Sequence, residues 1–210
     1  MLTKSFLAAA LLALLPLSEP RQRAEGAITY VAAQDAAPAL SDSAFAALVA
    51  RVSEPGGYFD SDNLISNESS YLHVLGGMRR IGVKGGAYVG VGPDQNFSYM
   101  AQVRPRIAFI IDIRRDNLLQ HLLFKALFEM SRNRVEYLAL LTGRAVPNDV
   151  AKWNRRTITE IVDFIDKSVP DADQFETTRG VVRTKVRRYG IPLTAAELET
   201  IGHIQQAFFD

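Results

Sequence analysis

Residues 86–117 read GAYVGVGPDQNFSYMAQVRPRIAFIIDIRRDN and hold the residue types with most chemistry to offer. Gly90 and Gly92 close a short apolar run, and glycine lets backbone approach a ligand where a Cβ would stand in the way. Asp94 and Asn96 follow at once, and a helix starting there would present unpaired N–H groups to the same ligand. Asp112 lies 22 positions after Gly90 inside the run IAFIIDI, with Arg114 two residues on. A carboxylate in apolar surroundings is costly unless something pairs with it. At the carboxyl end of a strand, such an acid can accept hydrogen bonds from both hydroxyls of a ribose. Gly90, Gly92, Asp94, Asn96, Asp112 and Arg114 therefore form a candidate site for a ribose-bearing ligand. A plainer reading also fits: turn glycines, and an aspartate capping a turn at a strand end.

To work as a site, these residues need two parallel strands. Ala87–Val91 and Ile107–Ile113 are short apolar runs of the kind expected for buried strands. Gly92 to Arg106 supplies 15 residues, enough for a crossover between parallel neighbours. Within it, Asn96 is expected to cap a brief helix that ends before Arg104-Pro105, because a residue preceding proline avoids helical angles. The expected fold class is α/β, Rossmann-like, with a large helical share. Only two strands are evident, so the sheet looks incomplete and the chain looks like a fragment of a longer one.

The blocks AYVGVGPDQNFSY and FIIDIRRDN resemble the first two motifs of class I S-adenosylmethionine-dependent methyltransferases. The resemblance implies that Gly90 and Gly92 line the methionine end of the cofactor and that Asp112 holds the ribose. Two positions depart from that pattern. Tyr88 stands where the family usually has an acid, and Asp94 stands at its third glycine. With SEPGGYFDSDNLISNESSYLHVL, the stretch from Ser53 to Leu141 also resembles an uncharacterised bacterial family thought to carry a methyltransferase-like domain. S-adenosylmethionine is thus the implied cofactor, with an unknown methyl acceptor. A nicotinamide cofactor fits less well, since its third glycine falls at Gln95. Asp94 also disfavours a pyrophosphate beside the loop.

The rest of the chain frames this site. The net charge of +1 gives no general attraction to nucleic acid, and the absence of cysteine excludes disulfides and thiol chemistry. Lys4 precedes the apolar run FLAAALLALLPL, the layout of a secretory signal and too short for a permanent membrane anchor. Residues 1–33 are therefore expected to be signal and cleavage region, 34–40 a linker, 41–146 the nucleotide-binding core and 147–210 a helical extension. Export conflicts with a cytosolic cofactor, so an exported, non-catalytic binding protein on the same scaffold is the alternative.

Asp60, Asn63, Ser66, Asn67 and Glu68 lie in a polar stretch that suits either a lid over the ligand or a solvated loop. Arg179, Arg183, Lys185, Arg187 and Arg188 read as a solvated basic face, without a nucleic-acid motif. His73, His121 and His203 show no ligand spacing, so no metal site is expected. Helices are expected from Ser41 or Ser43, at Tyr71–Met78, from Asn117, over Val135–Leu141, from Pro147 through Ile165, and after the Thr194/Glu197 capping box.

Overall fold

A computed structural model describes residues 39–55 and 70–210. The signal segment, nearly all of the linker and the polar stretch containing Asp60, Asn63, Ser66, Asn67 and Glu68 lie outside the described residues.

The sheet is a parallel pair, β1 (Ala87–Val91) and β2 (Ile107–Ile111), in register from Ala87↔Ile107 to Val91↔Ile111. The crossover is α3 (Gln95–Val103), so the expected strand–helix–strand unit is present. Arg104 ends α3 in the left-handed region, at φ 52°, where the following Pro105 forbids another helical turn. Two expectations shift. The helix begins one residue before Asn96, with Asp94 at its N-cap, so Asn96 does not cap it. The second strand stops at Ile111, which places Asp112 just beyond the ladder.

Burial of the strands is the larger correction. Val89 and Val91 are each 65% exposed and Ile111 51%, whereas apolar runs of this kind predict cover on both faces. Among the described residues, helices cover the sheet too sparsely to bury its apolar side chains.

The helices account for most of the packing. Ser41 caps α1 (Asp42–Val52) by accepting from the Ala44 N–H, and α2 (Val74–Ile81) follows a 3-10 turn at Tyr71–His73. The longest apolar stripe is on α4 (Arg115–Met130), which starts two residues before the expected Asn117. Leu119, Leu123 and Leu127 of α4 pack with Val182 and Val186 of α7 (Ala172–Arg188) and with Leu198, Ile201 and Ile204 of α8 (Ala195–Phe209). Phe45 and Val49 of α1 lie against this cluster. Elements expected in the nucleotide-binding core and in the helical extension thus share one core. Each such side chain removed from water contributes about 1.5–3 kcal/mol.

A smaller cluster joins α5 (Arg134–Leu141) to α6 (Ile158–Lys167) through Val135, Ala139, Ile161 and Ile165. The single helix expected from Pro147 is interrupted. Val150–Trp153 forms only a 3-10 turn, and α6 starts afresh at a capping box in which Thr157 and Glu160 satisfy each other's backbone N–H. The Thr194/Glu197 box opens α8 as expected. Among the described residues, no helix is long and apolar enough to cross a membrane.

Candidate functional site

The carboxyl ends of β1 and β2 meet at the Gly92 turn. Gly92 has φ +84°, a conformation side chains rarely adopt, and its N–H donates to the Ile111 carbonyl at 3.0 Å. A Cβ on Gly92 would lie 3.8 Å from Asp112 Oδ2, so the glycine turn and the strand-end acid are neighbours. That part of the expected site is assembled.

Gly90 has a different use. A Cβ there would overlap Asn96 Oδ1 and come 2.7 Å from the Tyr88 hydroxyl. Asn96 fills this space and is only 1% exposed. Its Nδ2 donates to the carbonyls of Val91 (3.1 Å), Gly92 (3.2 Å) and Pro93 (2.8 Å), and its Oδ1 accepts from the Tyr88 hydroxyl at 2.7 Å. Asn96 therefore pins the loop from inside, and Tyr88 of β1 completes the pin.

Asp112 is held by Arg114. Its Oδ1 accepts from the Arg114 N–H at 2.8 Å and from Nε at 3.2 Å, and its Oδ2 accepts from Nη2 at 3.2 Å. The acid's side chain is 8% exposed. Burial alone would raise its pKa, but the Arg114 hydrogen bonds and charge outweigh that and leave it below the ordinary carboxylate value.

His121 of α4 belongs to the same loop, although nothing in its sequence context separates it from the other histidines. Its Nε2 lies 3.1 Å from the Gly92 carbonyl. Desolvation pushes its pKa below the ordinary value, against the opposing pull of that hydrogen bond, Asp94 and Asp112. The ring is therefore neutral at pH 7. Since a carbonyl only accepts, Nε2 carries the proton. Phe97 and Phe124 meet the imidazole edge-on.

Beyond them, Phe128 stacks on Tyr137 with centroids 4.6 Å apart. Burial raises the Tyr137 pKa, and the Asp94 charge adds to the rise. The Asp94 charge is thus felt at both His121 of α4 and Tyr137 of α5, a convergence too dispersed along the chain to read by spacing. Among the described residues, no cluster of histidine and acidic side chains is placed to hold a metal ion.

The basic stretch is partly absorbed by ion pairs. Arg179 meets Glu176, Arg183 meets Glu199, and Lys185 meets Glu129. Glu129 also accepts from Lys125 at 2.6 Å and from the Tyr189 hydroxyl at 3.0 Å, tying α4 to the end of α7.

Fold and loop together define a mixed α/β domain, mainly helical, built on one parallel strand–helix–strand unit with a glycine turn and an acid at its tip. The chain belongs to the family described as a domain of unknown function, DUF7790, which matches residues 64–185, well over half its length. No curated protein and no solved structure matches it.

Proposed function

We propose that this domain is Rossmann-like and binds S-adenosylmethionine at the tip of the strand pair, as a methyltransferase-like protein. The observation that carries the reading is Asp112 against the Gly92 turn, at the carboxyl ends of two parallel strands, the place where such sheets receive nucleosides. In this reading the ribose hydroxyls take over acceptor positions on Asp112 that the Arg114 guanidinium fills. Arg114 keeps the acid ionised until then.

The methionine end of the cofactor carries an ammonium and a sulfonium. The negative charge of Asp94 beside the loop suits a cation better than a phosphate. Methyl transfer needs donor and acceptor held in line more than it needs an acid–base pair, so His121 serves by fixing the Gly92 carbonyl.

Calorimetry with S-adenosylmethionine and S-adenosylhomocysteine tests the site. Wild type binds both, and Asp112→Ala weakens binding by about tenfold or more, equivalent to about 1.4 kcal/mol. No binding to wild type removes the reading.

A second reading, an exported non-catalytic binding or interaction protein on this scaffold, draws support from the closed loop. Asn96 fills the space over Gly90, and Arg114 occupies Asp112. It requires that the mature protein lack Met1–Leu17. Mass spectrometry of the mature N-terminus decides this, and a retained leader contradicts export.

A further inference from the structure

The two ends of the strand pair differ in charge. From Tyr71 to Ile111 the sequence holds five basic residues, Arg79, Arg80, Lys84, Arg104 and Arg106, and one acid, Asp94. Asp94 follows β1, whereas the basic residues lie on the approaches to β1 and β2. Those approaches are tied together: the Gly85 N–H donates to the Val103 carbonyl and the Arg106 N–H to the Gly86 carbonyl, each at 2.8 Å. Basic residues thus collect at the amino ends of the strands, opposite the Gly92 turn. On α7, by contrast, Arg179, Arg183 and Lys185 each meet a carboxylate. At the strand tip Arg79 donates to the Gln102 side chain at 3.0 Å, and Arg80, Lys84 and Arg104 stand exposed.

Exposed apolar residues are interleaved with these charges. Ile81, 75% exposed, and Val83 stand between Arg80 and Lys84, and Ile107 follows Arg106. The apolar surface continues along the sheet. Partners in a parallel register share a face, so Val89 with Phe109 and Val91 with Ile111 lie on the same side as Ala87 with Ile107. Tyr88 and Gly90 point the other way, toward Asn96 of α3. The open face carries no polar side chain.

We propose that this end of the domain docks peripherally on an anionic lipid bilayer. Ile81, Val83 and Ile107 enter the headgroup layer, and Arg80, Lys84 and Arg104 meet the lipid phosphates. The one-signed charge selects an anionic partner, and the aliphatic side chains select a lipid one. Nucleic-acid bases stack on aromatic side chains, and Ile81, Val83 and Ile107 offer none. A second copy of the chain fits less well. Two strands of five residues span about 17 by 10 Å, far short of the about 800 Å² per partner that a stable dimer buries. A bilayer sets no such minimum. Because Gly92 and Asp112 lie at the opposite end of the strands, the docked domain leaves them open to solvent.

The test sediments the full chain with vesicles of equal parts phosphatidylglycerol and phosphatidylcholine, and with vesicles of phosphatidylcholine alone. Wild type partitions onto the anionic vesicles, is released as salt is raised, and stays in solution with the neutral ones. Each basic residue at an anionic surface strengthens partitioning about fivefold, so Arg80→Gln/Lys84→Gln/Arg104→Asn weakens it by about a hundredfold. Asparagine is used at position 104 because it tolerates the left-handed backbone there. Ile81→Ser/Val83→Ser leaves the charge unchanged and weakens partitioning by at least about tenfold. Both variants alter exposed side chains, and circular dichroism checks that each keeps its fold. The proposal is overturned if wild type ignores the anionic vesicles or binds the neutral ones equally, or if either folded variant keeps wild-type binding. A wild-type dimer in sedimentation equilibrium that Ile81→Ser/Val83→Ser dissociates also overturns it, and gives the face to a second copy.

Discussion

The helical side and the strand side of this domain both carry runs of apolar residues, yet they use them differently. On α4, Leu119, Leu123 and Leu127 recur at helical spacing, and all three disappear into a core shared with α7 and α8. On β1 and β2, Val89, Val91 and Ile111 stay largely exposed, and order comes instead from the backbone ladder and from polar pins at its tip. Stability therefore resides in hydrophobic packing on one side. On the other it resides in a few directional contacts: Asn96 and His121 on the loop carbonyls, Arg114 on Asp112. A candidate site on the second kind of scaffold is sensitive to single polar atoms.

The largest test of that contrast is a pair of truncations. Leu123→Ala empties a fully buried position and is expected to lower unfolding free energy by about 2–5 kcal/mol in urea titration. Val89→Ala removes an exposed side chain and stays within about 0.5 kcal/mol. Equal effects would mean that the strand surface is covered in solution and would break the comparison.

Gly90→Ala comes next. Its methyl group would overlap Asn96 Oδ1, so about 1–3 kcal/mol of overpacking is expected. Asn96→Ala vacates that space. The double variant should then be less destabilised than the two single effects added, a coupling that a double-mutant cycle resolves. Strict additivity would show that Asn96 does not occupy the Gly90 cradle.

These two sites also mark how far the chain could be read from its residues. The stripe on α4 was legible because helical periodicity repeats over four turns and more, and the parallel pair because a crossover of this length joins parallel strands. Thr194 and Glu197 announced α8 by spacing alone. The same pattern at Thr157 and Glu160 was overshadowed by the apolar residues on either side, and so one long helix was expected where a turn and a helix occur.

The role of Asn96 was not legible. Position suggested a helix cap or a ligand contact, whereas its direction depends on the room that Gly90 leaves and on Tyr88 reaching over from β1. His121 was hidden for a similar reason, since its partner is a carbonyl on a distant loop. Exposure of the strands escaped because apolar composition reports what a strand can bury, and only the arrangement of helices decides what it does bury.

A smaller effect tests the helix starts on the well-packed side. Thr157→Ala removes the side-chain oxygen that accepts from the Glu160 N–H, at an expected cost of about 1 kcal/mol. Because the box isolates α6 from the preceding turn, the loss should appear as faster amide exchange at the start of α6, with α8 unchanged. Equal loss of protection in both helices would mean that the two form a single cooperative unit.

The smallest effect concerns the polar side, and its sign follows from linkage. His121 has a native pKa below its ordinary value of 6.5, chiefly because burial disfavours the imidazolium. Between those two values the unfolded chain binds a proton that the native chain does not, so stability falls as pH falls through that window. One site contributes at most about 1.4 kcal/mol per pH unit. His121→Phe keeps an aromatic ring beside Phe97 and Phe124 but has nothing to protonate. Urea titrations at a series of pH values below 6.5 should therefore show a shallower slope for the variant than for wild type. At pH 8, where no proton is at stake, the variant should still be the less stable of the two, because the Gly92 carbonyl has lost the Nε2 donor. Parallel pH slopes would show that His121 is solvated and does not hold the loop. A variant as stable as wild type at pH 8 would assign the loop's order to Asn96 alone.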